Sequence, residues 1–273
     1  MRFMNSQDAL ERLKKVRCFV LDMDGTFYLD TQIIPGSLEF YHAVMHSGRQ
    51  ILFLTNNSSH DAAHYVNRLR DMGVPVTPEQ IYTSGMATCQ YLNRVYPGAR
   101  VFLMGNHFLR EEFLRYGICL TEENPDLVVA GFDTELTYDK LVKTCDYIRA
   151  GLPYIATHPD YNCPTRTGFI PDLGAMMALI EASTGRRADT IVGKPYEEIV
   201  RGMLEVTGLE PESLCICGDR LYTDVATGVN AGILSVCVLT GESTEADIAS
   251  SSVKPDLVVE RLYSLTTMMG LSE

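Results

Sequence analysis

The sequence predicts an α/β protein in which a parallel sheet, covered by helices on both faces, is interrupted by a second, smaller α/β unit. Three observations carry this. Short apolar runs without polar alternation recur as CFVLD (18–22), ILFLT (51–55), LCICG (214–218) and SVCVL (235–239), the pattern of strands buried on both faces. Segments of helical period separate them. The long stretch between the second and third runs repeats the alternation on its own, which suits a unit of roughly 100 residues.

In chain order, 18–22 reads as a buried strand ending in an acid, and 37–47 as a helix with Leu38, Tyr41 and Val44 three apart. After the 51–55 strand, a helix over roughly 60–73 carries Tyr65, Leu69 and Met72 on one face and stops at Gly73. In the middle, 101–105, 126–132 and 153–157 read as strands, and 107–116 and 137–150 as helices, the second lined by Leu141, Cys145 and Ile148. Ile199, Met203 and Val206 line a further helix that ends at Gly208, before the strands at 214–218 and 235–239. The fold class is a Rossmann-like parallel-sheet core with an inserted α/β domain. The boundaries fall near 84 and 187, where the chemistry described below stops and resumes: 1–83 plus 188–273 for the core, 84–187 for the insertion.

The 273 residues are 46% apolar and 21% charged, which excludes wholesale disorder and suffices for a large core. A net charge of -12 argues against nucleic acid polymers and acidic membranes as partners, while a local pocket can still take a small anion. The opening residues MRFMNSQDALERLKKVR hold no apolar run suited to a signal peptide, and no run approaches the ~18–20 residues of a spanning helix. The expected location is the cytoplasm, with the eight cysteines as reduced, buried small hydrophobes. Cys215 and Cys217 would share one face of their strand, but no second pair has zinc-ligand spacing.

Polar clusters follow the core-type strands. Asp22-Met23-Asp24-Gly25-Thr26 ends the first, Thr55-Asn56-Asn57 the second, Gly193-Lys194-Pro195 follows the apolar pair Ile191-Val192, and Gly218-Asp219 ends LCICG with Asp224 five residues on. Each has a bland reading: an acidic turn, a helix cap, a solvated lysine, acids near a helix dipole. Together they lie at carboxyl ends of strands, which share one rim in an open parallel sheet. Residues two apart on extended chain face the same way, so Asp22 and Asp24 can address one site. With Asp219 they make an oxygen-rich site suited to a hard cation such as Mg²⁺.

In this order, DxDGT, TNN, GKP and GDxxxxD resemble the haloacid dehalogenase-like phosphatases, specifically the NagD-like, p-nitrophenyl phosphatase-type subfamily. The resemblance covers nearly the whole chain and includes TSGMAT (83–88), IATHPD (155–160) and GRRADTIVGKP (185–195). It implies a Mg²⁺-dependent phosphatase of small phosphate monoesters: sugar phosphate, polyol phosphate, nucleoside monophosphate or pyridoxal phosphate. By the same resemblance Asp22 is the nucleophile that forms an aspartyl-phosphate, and Asp24 the general acid and base. Asp22, the Asp24 backbone carbonyl and Asp219 hold the metal, with Asp224 ligating directly or through water. Thr55, Asn56 and Lys194 bind the phosphoryl group.

The resemblance makes 84–187 a cap domain, with His158 and Asp160 in its substrate-specificity loop. Relatives usually carry Asn at His158 and often Asp at Tyr222. They also often pair through their caps, so a homodimer through the cap is the protein partner implied, although no decisive apolar stripe marks that face. Two other readings compete: a receiver-type phosphoacceptor domain, and a catalytically silent sugar- or nucleotide-binding protein. The DxD pair, the late GDxxxxD and the large insertion argue against the first, and the presence of every expected catalytic residue against the second.

Overall fold

The computed structural model describes residues 6–165 and 167–271; of the opening stretch read for a signal, residues 1–5 lie outside them. The chain divides into two compact units, one of Met1–Leu54, Val66–Tyr82 and Met203–Glu273, the other of Thr55–Tyr65 and Thr83–Gly202.

The first unit is built on a six-stranded sheet in the order Leu257–Val259, Leu234–Val238, Leu214–Gly218, Cys18–Leu21, Gln50–Thr55, Ile81–Thr83. Cys18–Leu21 pairs in parallel with both its neighbours, placing Leu21 opposite Cys217 on one side and Phe53 on the other. The two pairings beyond Leu214–Gly218 are also parallel. All four residues of Cys18–Leu21 are buried, the consequence of helices on both faces. The sequence reading passed over two edge strands, Ile81–Thr83 and Leu257–Val259, which are three residues each and too short to show a pattern. It also passed over the helix Gln7–Lys15, where Ser6 caps by accepting from the Ala9 backbone and Ala9 and Leu13 are the buried residues.

The second unit holds a five-stranded parallel sheet in the order Thr190–Ile191, Tyr154–Ala156, Leu127–Ala130, Arg100–Met104, Cys119–Leu120. Phe102, Val128, Tyr154 and Ala156 pack with Cys145 and Ile148 of the helix Tyr138–Arg149 and with Leu173 and Ile180 of Leu173–Thr184. An antiparallel hairpin, Asn162–Thr165 with Gly168–Pro171, adds to this unit.

One predicted face needs correction. Val206 on the helix Glu197–Thr207 is exposed, and Ile199, Val200 and Met203 carry the apolar stripe instead. Position 206 is seven after 199 and three after 203, so helical spacing alone puts it on this stripe; it stands in the last turn, which ends at Thr207, and is left exposed there. All eight cysteines are free and six are buried; Cys215 and Cys217 lie with their sulfurs 3.7 Å apart inside the strand, as small core residues.

Candidate active site

In the first unit the chain leaves Cys18–Leu21 at Asp22, whose backbone N–H still donates to Cys217 O at 2.9 Å. The next residues fold back at once: Met23 O accepts from Phe27 N and Tyr28 N, and Gly25 N donates to Tyr28 O. Gly25 takes φ +81°, and a Cβ there would sit 2.5 Å from Asp219 Oδ2, so only glycine gives both the turn and the approach. Thr240 Oγ1, just after the strand Leu234–Val238, donates to Gly25 O at 2.7 Å and fixes the loop.

Asp219 follows Leu214–Gly218, the neighbouring strand, and so emerges beside Asp22. Its Oδ2 accepts from Glu242 N at 2.7 Å and its Oδ1 from the fully buried Thr26 hydroxyl at 3.4 Å. Asp224 reaches the same place because the chain turns tightly through Leu221–Val225; a Cβ on Gly218 would lie 2.2 Å from Asp224 Cγ. Carboxylate oxygens of Asp22, Asp219 and Asp224 lie within 4.8 Å of one another.

Burial first, and Asp224 second, push the Asp219 carboxyl up to about 6. Burial also raises Asp24, against the pull of Arg68 and Arg220. Burial lowers the Arg220 guanidinium, but Asp22 and Asp219 more than reverse this and hold its proton firmly. Arg220 pairs with Glu242 at 3.0 Å. Sequence reasoning did not single out Arg220, although its place inside GDRLYTD was the available signal. Three hard oxygen donors crowded into a buried site, with one carboxyl already resisting ionisation, fit a small divalent cation.

In the second unit, Thr55 accepts from Asn57 N at 3.1 Å, and Asn57 Oδ1 accepts from the backbone and hydroxyl of Ser59. Asn56 is buried, and its side chain is fully used. Oδ1 accepts from Lys194 N at 2.7 Å, while Nδ2 donates to Lys194 O and to Asp160 Oδ2, both at 3.1 Å. What Asn56 retains for an anion is therefore its backbone N–H, not its side chain. The Gly193-Lys194 segment extends the strand pairing, with Val192 N on Ala156 O and Gly193 N on Thr157 O. Lys194 is itself buried.

His158 is fully buried and uses both ring nitrogens, Nε2 with Asp172 Oδ1 and Nδ1 with Thr157 Oγ1, each at 2.9 Å. Burial works against its positive charge, but Asp172 and Asp160 outweigh this and raise its affinity for the proton. The expected specificity contact at His158 thus concerns a ring already held on both sides. The sequence reading missed Asp172, fourteen residues on; its position at the N-cap of Leu173–Thr184 gave no hint of the imidazole.

A parallel α/β sheet with a DxD turn and a late aspartate pair at the ends of adjacent strands defines a hydrolase class. A model described as haloacid dehalogenase-like hydrolase matches residues 19–119, and one described as HAD-hydrolase-like matches 191–265. An acid sugar phosphatase of Staphylococcus epidermidis is 33% identical over 244 residues, covering 89% of this chain and 94% of the relative. Among solved structures, a 4-nitrophenylphosphatase from Thermotoga maritima matches with 48% identity and TM-score 0.92, over 94% of this chain and 99% of its own. NagD from E. coli K-12 matches with 33% identity and TM-score 0.85, over 91% and 97%. The chain belongs to the haloacid dehalogenase-like hydrolases. Within them it is a phosphatase of the NagD-like, p-nitrophenyl phosphatase type, a group that generally uses a divalent metal.

Proposed function

We propose that the protein is a Mg²⁺-dependent phosphatase of small phosphate monoesters working through an aspartyl-phosphate on Asp22. The observation that carries this is the meeting of Asp22, Asp219 and Asp224 at the ends of two register-paired strands. Phosphate monoester hydrolysis is among the slowest uncatalysed reactions, accelerated by enzymes up to ~10²¹-fold, or about 28 kcal/mol. A covalent step divides that barrier.

An Asp22 carboxylate oxygen attacks phosphorus while the bond from phosphorus to the ester oxygen breaks. Asp24, whose burial favours the protonated form, gives its proton to the leaving oxygen. It then takes a proton from the water that attacks the aspartyl-phosphate, releasing phosphate and restoring Asp22. Asp22, the Asp24 carbonyl and Asp219 are the residues that would hold the metal, with Asp224 ligating or orienting them. When bound, the metal supplies positive charge against the approach of an anionic nucleophile to a phosphate. Thr55, the Asn56 backbone N–H and Lys194 are assigned to the transferring oxygens, on the order of the motifs and the chemistry of the groups.

Residues 84–187 are proposed as the cap, with 1–83 plus 188–273 as the hydrolase core; the loop 158–162 is its specificity element, through residues other than His158 and Asp160, whose side chains are bonded to neighbours. The acid sugar phosphatase relative favours a sugar phosphate among the candidate esters, ahead of polyol phosphates, nucleoside monophosphates and pyridoxal phosphate. The proposed location is the cytoplasm; among the described residues no helix is long and apolar enough to cross a membrane.

The test is phosphate release over a panel of these esters, with Mg²⁺ and with chelator. Turnover that needs the metal and vanishes in Asp22→Asn is expected. Undiminished turnover in chelator overturns the metal role, and an active Asp22→Asn overturns the nucleophile.

A further inference from the structure

Asp160 is a buried carboxylate with an unusual distribution of partners. Its Oδ2 accepts one hydrogen bond, from Asn56 Nδ2 at 3.1 Å. Its Oδ1 is buried with no hydrogen-bond partner among the described residues. A buried polar atom left unsatisfied is uncommon and asks for a reason. A donor group from His158, Asp160 and Asp172 also lies within 4.8 Å. That trio resembles a metal site, but the imidazole has both nitrogens bonded, to Asp172 and to Thr157, and offers no lone pair where it stands. Thr157 Oγ1 is fixed in turn by Ser58 Oγ at 3.0 Å, and Ser58 Oγ accepts from Phe132 N at 2.9 Å. The ring is therefore braced by two side-chain chains rather than poised to turn.

The one bond that Asp160 does make falls on the most heavily used side chain of this unit. An amide NH₂ has two hydrogens and can point them in only one plane. With one hydrogen drawn to Asp160, the other meets Lys194 O and the amide oxygen meets Lys194 N. Asn56 thereby grips both backbone polar groups of Lys194, as a neighbouring strand would. Gly193 passes close enough that a Cβ there would sit 2.6 Å from Asn56 Oδ1, so the grip depends on the amide keeping one orientation. A flipped amide would turn its NH₂ on the Lys194 N–H and its oxygen on the Asp160 carboxylate, two repulsive contacts.

We propose that Asp160 is a positioning residue: its carboxylate fixes the orientation of the Asn56 amide, and Asn56 in turn sets the Lys194 backbone. The unsatisfied Oδ1 follows from this, since the carboxylate is held for its effect on Asn56 and not for a full set of hydrogen bonds. The consequence for turnover rests on the phosphatase reading given above; the consequence for the Lys194 backbone does not.

The experiment has two arms on the full-length chain. In the first, amide hydrogen exchange at Lys194 is compared with that at Asp189, whose N–H donates to Tyr154 O in the same unit. Asp160→Ala is expected to speed exchange at Lys194 by about tenfold with Asp189 unchanged, a local opening rather than a global one. In the second arm, kcat is measured on p-nitrophenyl phosphate, a hexose phosphate, glycerol phosphate and a nucleoside monophosphate. Misplacement of a phosphate-binding group predicts a loss of about 10- to 100-fold that is the same for every ester and small when added to Asn56→Ala. Asp160→Asn, which keeps an acceptor oxygen, is expected to recover much of the loss.

Losses that differ by more than tenfold between esters would make Asp160 a leaving-group contact and overturn the proposal. So would unchanged exchange at Lys194, or a loss that multiplies with that of Asn56→Ala. Asp160→Leu substitutes if the alanine variant does not fold; failure of both to fold overturns the proposal by making the carboxylate a folding determinant. If the wild-type protein releases no phosphate, the phosphatase reading fails, and the exchange arm still decides the role of Asp160.

Discussion

The two units handle buried charge in opposite ways. In the first, Asp22, Asp219 and Asp224 bring three carboxylates within 4.8 Å, and burial together with Asp224 raises Asp219 to about 6. Arg220 answers part of that charge. In the second, Asp160 and Asp172 raise the proton affinity of the buried His158, and Asn56 spends every polar atom of its side chain on neighbours. A set of like charges of which one member resists ionisation is built to receive a cation, whereas a set bonded to its neighbours is built to keep its shape. Polar residues at strand ends are thus not all of one kind, and their internal bonding separates those that wait for a ligand from those that hold the ones that do.

The comparison can be broken most decisively at its first member. Asp22→Asn should lower phosphate release by on the order of 10⁴-fold or more while thermal unfolding stays cooperative; residual activity near wild type would remove the receiving role from the carboxylate set. Removal of divalent metal by chelator should abolish turnover, Mg²⁺ should restore it, and added Mg²⁺ should raise the thermal midpoint, since a ligand that binds only the folded state stabilises it. No shift in midpoint would mean the carboxylates do not take the ion.

Glu112 sharpens the contrast inside the second unit, because there a buried carboxyl lacks a balancing partner of its own. Burial raises it to about 7, with Arg115 pulling the other way, and Thr83 Oγ1 lies 3.4 Å from its Oε2. The folded state holds this proton more tightly than the unfolded state, whose value is near 4.5. The contribution to stability is therefore fully present below pH 4.5 and is lost as pH rises through about 7. The difference amounts to about 3 kcal/mol at most. Glu112→Gln should flatten the stability profile between pH 5 and 8, as read by denaturant titration; an unchanged profile would show that Glu112 ionises normally.

Gly25→Ala adds a Cβ at positive φ and 2.5 Å from Asp219 Oδ2, and should cost about 1–3 kcal/mol along with activity. The smallest effect belongs to Tyr222, which is 55% exposed and touches Glu242 at 3.3 Å. Tyr222→Phe should stay within about 0.5 kcal/mol of wild type, checked by the thermal midpoint.

The parallel core was legible because strands buried on both faces cannot hide their composition: CFVL and LCICG are apolar throughout. The three-residue edge strands were not legible, since a pattern needs more residues than they have. Val206 shows a further limit, for an apolar residue at the right helical spacing can still be exposed in the last turn. At the site, the acids of DMDGT and GDRLYTD announce themselves by their place after strands. Asp172 and the Asn56 clasp do not, because a hydrogen bond spanning 138 residues, as between Asn56 and Lys194, leaves no trace in local spacing.

By itself, then, the order of residues determined the central strands, the acids at their ends, and the family that combines them, because burial and strand period act over a few neighbouring positions. The tertiary structure alone decided which polar atoms are already spoken for: that the amide of Asn56 grips Lys194, that the ring of His158 is held on both sides, and that Arg220 answers Asp22. Those facts depend on distances between remote parts of the chain, where electrostatic and hydrogen-bond energies change within an ångström.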